Sequence, residues 1–132
     1  MAGHAALRKR TDIPIATGEN LYLPQEFEAF LAQDAVDVLM PDLQRCGGYT
    51  GMNRIAQACA RAGVRLSPHA YAWQSTHTVA AFADDGLVES MPRGDLMFGR
   101  ATVLRDGLLP LPQEPGTGLR YDPQWLRQHR EA

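Results

Sequence analysis

Four short stretches of this chain each run into a residue able to carry a proton or hold a cation. Ile13-Pro14-Ile15-Ala16-Thr17-Gly18 leads to Glu19, and Val36-Asp37-Val38-Leu39-Met40-Pro41 leads to Asp42. Val64-Arg65-Leu66-Ser67-Pro68 leads to His69, and Gly86-Leu87-Val88 leads to Glu89. If these runs are strands of one parallel sheet, the four groups share its carboxyl edge, which is where parallel α/β proteins place their chemistry.

Asp42 and His69 matter as a pair. Equivalent ends of adjacent parallel strands lie ~5 Å apart, close enough for the aspartate to accept a hydrogen bond from one ring nitrogen. That bond fixes the tautomer and leaves the other nitrogen as a general base. A structural contact between two loops is the alternative. Glu19 offers hard carboxylate oxygen suited to magnesium, although a single carboxylate does not hold the ion and an ordinary solvated loop glutamate reads the same way. Glu89, if buried at the same rim, would be pushed toward its protonated form and could donate to a developing oxyanion. Otherwise it is a surface glutamate.

Other residues carry weaker signals. Gly47-Gly48, ahead of a helical pattern, could present free backbone amides to an anion, as many strand-to-helix loops do. Gln44 and Arg45 follow Asp42 closely enough to reach the polar end of a substrate. Tyr71 and Trp73 wall a pocket or simply pack beneath their loop. His77 falls inside a predicted helix, and His4 and His129 fall near the termini, where no partner is evident.

The elements that must position these groups alternate. Residues 2–10 read as the last turns of a helix, with basic residues toward its C-terminal end, so the chain is expected to begin partway through an architectural repeat. Ile13–Ala16 is predicted as a strand. A helix follows from Pro24 to about Gln33, with Phe27, Phe30 and Leu31 on one face. The strand Val36–Met40 comes next. Thr50 then caps a helix bearing Met52, Ile55, Ala56 and Cys59, which stops at Gly63. The strand Val64–Ser67, a loop with His69, Tyr71 and Trp73, a helix through Thr78, Val79 and Phe82, and a fourth strand Gly86–Glu89 complete the alternation. This order predicts right-handed βαβ units and a parallel sheet. Beyond it, Asp106-Gly107 between residues 101–104 and 108–111 signals a hairpin, and residues 123–130 a short helix.

The composition excludes several classes. A chain of 132 residues suits one domain with a single core. Thirteen basic against fifteen acidic residues, without a basic stripe, argues against nucleic acid as a partner. No apolar run approaches the ~20 residues of a membrane span, and the N-terminus MAGHAALRKRTD has no signal-peptide core. Cys46 and Cys59 lack CxxC spacing and read as reduced thiols, so a cytoplasmic location is expected.

IATGENLY (15–22), LMPDLQRCGGYTG (39–51), LSPHA (66–70) and LVES (87–90), in this order and spacing, resemble the C-terminal half of the barrel of the enolase superfamily. Within it they are similar to the mandelate racemase subgroup, which includes acid-sugar dehydratases. The Asp-Gly hairpin and PGTG (115–118) resemble that family's C-terminal tail. The resemblance implies a partial (β/α) TIM-type barrel, the last four strands of a (β/α)7β barrel, followed by a hairpin and a short helix. It implies magnesium as cofactor, with Glu19 the third of three acidic ligands. It also implies Asp42 and His69 as the dyad that moves the proton beside a substrate carboxylate, and Glu89 as the group that hydrogen-bonds the enediolate.

The expected activity is dehydration of a sugar acid, with racemisation or epimerisation as the alternative. A complete barrel of this type takes ~250 residues, so residues 1–132 are expected to lack the capping domain and the first half of the barrel. Open sheet edges then predict association with a second copy or with the missing half. They also leave room for a catalytically inert half-barrel.

Overall fold

The computed structural model describes residues 1–99 and 103–130, with residues 92–94 described in their backbone alone. Three parallel strands, β1 (Ala16–Thr17), β2 (Val38–Leu39) and β3 (Arg65–Leu66), lie side by side in that order. Helices α1 (Ala2–Arg8), α2 (Pro24–Ala32), α3 (Gly48–Ala62) and α4 (Ala72–Phe82) alternate with them. A 3-10 helix, Pro92–Phe98, and α5 (Pro123–Gln128) follow.

Register and alternation decide which face of the sheet is packed. Thr17, Leu39 and Leu66 form one row across the ladder, and Ala16, Val38 and Arg65 form the next. Successive side chains point to opposite faces. Leu39 and Leu66 are buried in a core with Phe27 and Phe30 of α2 and Met52, Ile55 and Cys59 of α3. The other row faces away from the helices, and its Ala16 and Arg65 are exposed. The apolar stripe of α3 recurs at three- and four-residue intervals, which places Met52, Ile55, Ala56 and Cys59 on one face and in the core.

Polar groups fasten the strand entries. Asp37, just before β2, accepts the Ile15 N–H at 2.8 Å and the Arg8 Nε–H at 2.7 Å. The Ile15 N–H, and then the Arg8 guanidinium, hold its carboxyl below the usual carboxylate range. Arg8 also pairs with Asp34, so α1 is tied to the start of both β1 and β2. At the start of α2 the Glu26 carboxylate accepts the N–H of the cap residue Leu23 at 2.8 Å, a donor that a helix start leaves unpaired, and that of Tyr22 before it at 2.7 Å.

The partial parallel barrel is present, with local differences from expectation. Of the four strands expected, three form the ladder. Gly86–Glu89 forms no ladder and meets β3 through the Leu87 N–H to Leu66 carbonyl bond of 3.0 Å. The hairpin reduces to a turn: Asp106 and Gly107 take φ of 51° and 79°, and Arg105 bridges Leu108. Positive φ at both turn residues is what a type I′ hairpin turn demands. Residues 101–102 of the expected hairpin lie outside the described part. Helix α3 starts at Gly48 rather than after Thr50, because Gly47 in a left-handed conformation takes the cap position. Among the described residues no helix is long and apolar enough to cross a membrane.

Candidate functional site

A proline stands two residues past the end of β2 and two past the end of β3, and this sets the rim. Pro41 and Pro68 have no N–H to donate to a ladder, and both are fully buried. One residue on, Asp42 and His69 form a parallel bridge, with the His69 N–H donating to the Pro41 carbonyl at 3.0 Å. Their side chains therefore start from adjacent points on the sheet edge. His69 Nδ1 lies 2.9 Å from Asp42 Oδ2, and the Asp42 side chain is 4% exposed. Its other oxygen accepts the Gln44 N–H at 2.8 Å, so the carboxylate cannot swing away from the ring without breaking a second bond.

Glu19 arrives from β1 through Gly18. A Cβ on Gly18 would stand 2.9–3.1 Å from the Met40 backbone, and its φ of 142° lies where side chains are strained, so the β1 exit can come this close to β2 only with glycine there. The Glu19 carboxylate, half exposed, lies 3.0 Å from His69 Nε2. Asp42, His69 and Glu19 thus form one chain of contacts across three strand ends. Glu89 joins at the next residue: its Oε2 accepts the Ala70 N–H at 2.7 Å.

Gln44 is exposed and borders a cavity of about 320 Å³ whose walls include Tyr71, Trp73, Phe98 and Tyr121. The Arg45 guanidinium turns the other way. It donates to the Glu19 carbonyl at 2.8 Å and to Asn20 Oδ1 at 3.2 Å, and its Nε lies 4.0 Å from Asp42 Oδ2. Asn20 and the buried Ser75, whose hydroxyl donates to the Ala70 carbonyl, were not singled out in the sequence. Ser75 was detectable only as a polar residue on the packed side of α4. His77 bonds the Thr117 carbonyl, His129 stacks on Trp125 and His4 meets Phe30 edge-on, all away from the rim.

Burial disfavours the thiolate form of both cysteines. Burial pushes the Cys46 thiol up to about 11, with Asp42 adding to the effect, and the Cys59 thiol up to about 12. A thiolate is the reactive form.

Magnesium takes near-octahedral oxygen ligation. Glu19 offers one carboxylate, already turned onto His69, and among the described residues no group of three His, Cys, Asp or Glu is placed to hold a metal ion. These residues do not make a magnesium site by themselves.

Fold and rim together define a class: a partial parallel α/β barrel carrying ionisable side chains at the carboxyl ends of its strands. The chain belongs to the enolase C-terminal domain-like family, whose model matches residues 1–125. L-talarate/galactarate dehydratase of Salmonella typhimurium is 32% identical over 125 residues, covering 95% of this chain and 31% of that protein. D-galactarolactone cycloisomerase of Agrobacterium fabrum is 28% identical over 144 residues, covering 96% and 38%. The crystal structure of L-talarate dehydratase from Polaromonas sp. JS666, complexed with Mg and L-glucarate, superposes with a TM-score of 0.88 at 37% identity. It covers 98% of this chain and 36% of that one. The chain therefore spans about a third of the length of the relatives it matches.

Proposed function

We propose that this chain, the C-terminal portion of an enolase-type (β/α)7β barrel, carries the proton-transfer residues of a magnesium-dependent dehydratase of sugar acids, aldonates or aldarates. The supporting observation is the 2.9 Å bond between buried Asp42 and His69 Nδ1, with Nε2 at the rim facing the half-exposed Glu19 carboxylate. A proton on the carbon beside a carboxylate is very weakly acidic, so it is removed only by a positioned base while the charge that develops on the carboxylate is stabilised. With Asp42 holding Nδ1–H, the base is the Nε2 lone pair.

Nε2 takes the α-proton. The electron pair left on that carbon forms a double bond to its neighbour and expels the β-hydroxyl, which departs as water with a proton from the imidazolium. The resulting enol becomes a 2-keto acid. Glu89 stands at the same rim for the carboxylate's developing charge, and Gln44 faces the cavity as a substrate contact. Arg45 acts through the Glu19 loop that it holds. When bound, magnesium supplies positive charge to the substrate carboxylate. Glu19 would give it one oxygen, and the remaining ligands would come from outside these 132 residues. Two free buried thiols go with a cytoplasmic setting.

A second reading has its own observation. The row Ala16, Val38 and Arg65, with Ala16 and Arg65 exposed and Val38 only part-buried, favours a half-barrel that acts only by association with a second copy or a complementary barrel half. Titrating the purified chain with magnesium and assaying aldonic and aldaric acids for 2-keto product separates the two. Turnover that disappears in His69→Asn, with loss of α-deuterium exchange, supports the enzyme. No saturable magnesium binding and no product would leave association as the activity of this chain.

A further inference from the structure

The orientation of a side chain at its root is set by the two peptide planes that flank its Cα. For His69 both planes are held. The preceding plane donates its N–H to the Pro41 carbonyl at 3.0 Å, inside the sheet bridge. The following plane contains the Ala70 N–H, and this donates to Glu89 Oε2 at 2.7 Å. Beyond it the backbone takes an unfavourable course: Ala70 and Tyr71, neither of them glycine, have φ of 51° and 45° in succession. Left-handed pairs of this kind are costly for residues with a Cβ and persist only where surrounding bonds determine them.

Three bonds do so here. Besides Glu89, the fully buried Ser75 donates its hydroxyl to the Ala70 carbonyl at 3.3 Å and its N–H to the Tyr71 carbonyl at 2.9 Å. Ala70 is thus gripped at both of its backbone groups by side chains from different elements.

We infer that Glu89 and Ser75 are positioning residues for His69: they clamp the left-handed Ala70–Tyr71 turn and so aim the imidazole at Asp42 Oδ2. This deepens the reading of His69 as the base and rests on it for its functional meaning, but the clamp can be observed without turnover. It gives Glu89 a task in the free protein, carried out through the backbone rather than through a substrate. Glutamine keeps an oxygen acceptor at the same reach, whereas aspartate withdraws the acceptor by one methylene and alanine removes it.

The test is NMR on the whole chain, following amide exchange at Ala70 and the hydrogen-bonded His69 Nδ1–H proton, with Asp42→Ala as the control that eliminates that resonance. Glu89→Ala is expected to speed Ala70 exchange at least tenfold and to broaden or remove the Nδ1–H signal. Ser75→Ala is expected to broaden the signal, and Glu89→Gln to preserve both readouts. A folded Glu89→Ala chain with Ala70 exchange and the His69 signal unchanged would overturn the inference. Should that variant fail to fold, Glu89→Asp is read by the same two outcomes. A wild-type chain with no turnover would count against the dehydratase reading and leave the clamp result standing.

Discussion

The Glu19 carboxylate stands 3.0 Å from His69 Nε2 while Asp42 holds Nδ1, so one imidazole is bracketed by two carboxylates from different strands. A neutral imidazole has one N–H and satisfies one of them; the imidazolium satisfies both. Asp42 is buried and Glu19 half exposed, so the Asp42 bond should be the persistent one. In Glu19→Ala the ¹⁵N shift of Nε2 is expected to move while that of Nδ1 holds. Stability should fall by only about 0–1 kcal/mol, as for exposed ion pairs. Equal movement at both nitrogens would show that the two contacts are not separable.

Asp37 predicts a pH dependence. Its folded carboxyl is held below the ordinary value by the Ile15 N–H and by Arg8. The stabilisation is therefore fully present above the unfolded value of about 4 and is lost as pH falls through the folded value. Asp37→Ala is expected to cost about 1–2 kcal/mol at pH 7 and much less near pH 2. Urea titrations of both chains at the two pH values measure the difference, and a pH-independent difference would rule this origin out.

The buried thiols predict inertness. With Cys46 at about 11 and Cys59 at about 12, almost no thiolate exists at pH 8. A disulfide-exchange reagent should leave both cysteines unlabelled in the native chain and label both in denaturant. Rapid labelling of the folded protein would contradict the packing of α3 against the sheet.

Gly51 predicts a packing limit. A Cβ placed there would come within 1.7 Å of the Cys46 carbonyl oxygen, where the turn after Asp42 passes beneath the first turn of α3. Gly51→Ala is expected to cost about 3 kcal/mol, the upper range for overpacking, and to disturb Asp42 through the same turn. Denaturant midpoints give the cost, and the His69 Nδ1–H signal reports the disturbance.

The rim was legible because apolar runs broken by proline or glycine immediately before Glu19, Asp42 and His69 announce strand ends. The structure duly brings those three side chains into contact. The fourth strand was less so. Gly86–Glu89 has a neighbour on one side within the described chain and a single backbone bond to it, so a short run that suits a strand does not gain a ladder. The start of α4 was hidden for a different reason. Tyr71 reaches the cap position by a left-handed turn that its side chain does not advertise, and Trp73, read as a loop residue, lies in the helix. Arg45 looked like a ligand-facing cation, but sequence spacing gives no sign that a loop 26 residues earlier supplies its acceptors.

That long-range grip has a mechanical consequence. Because the Arg45 guanidinium fastens onto the main chain of Glu19 from a turn that also carries Asp42, the two loops are braced like the legs of a trestle. Displacing either loop alone would break the Arg45 bonds to the Glu19 carbonyl and Asn20 Oδ1.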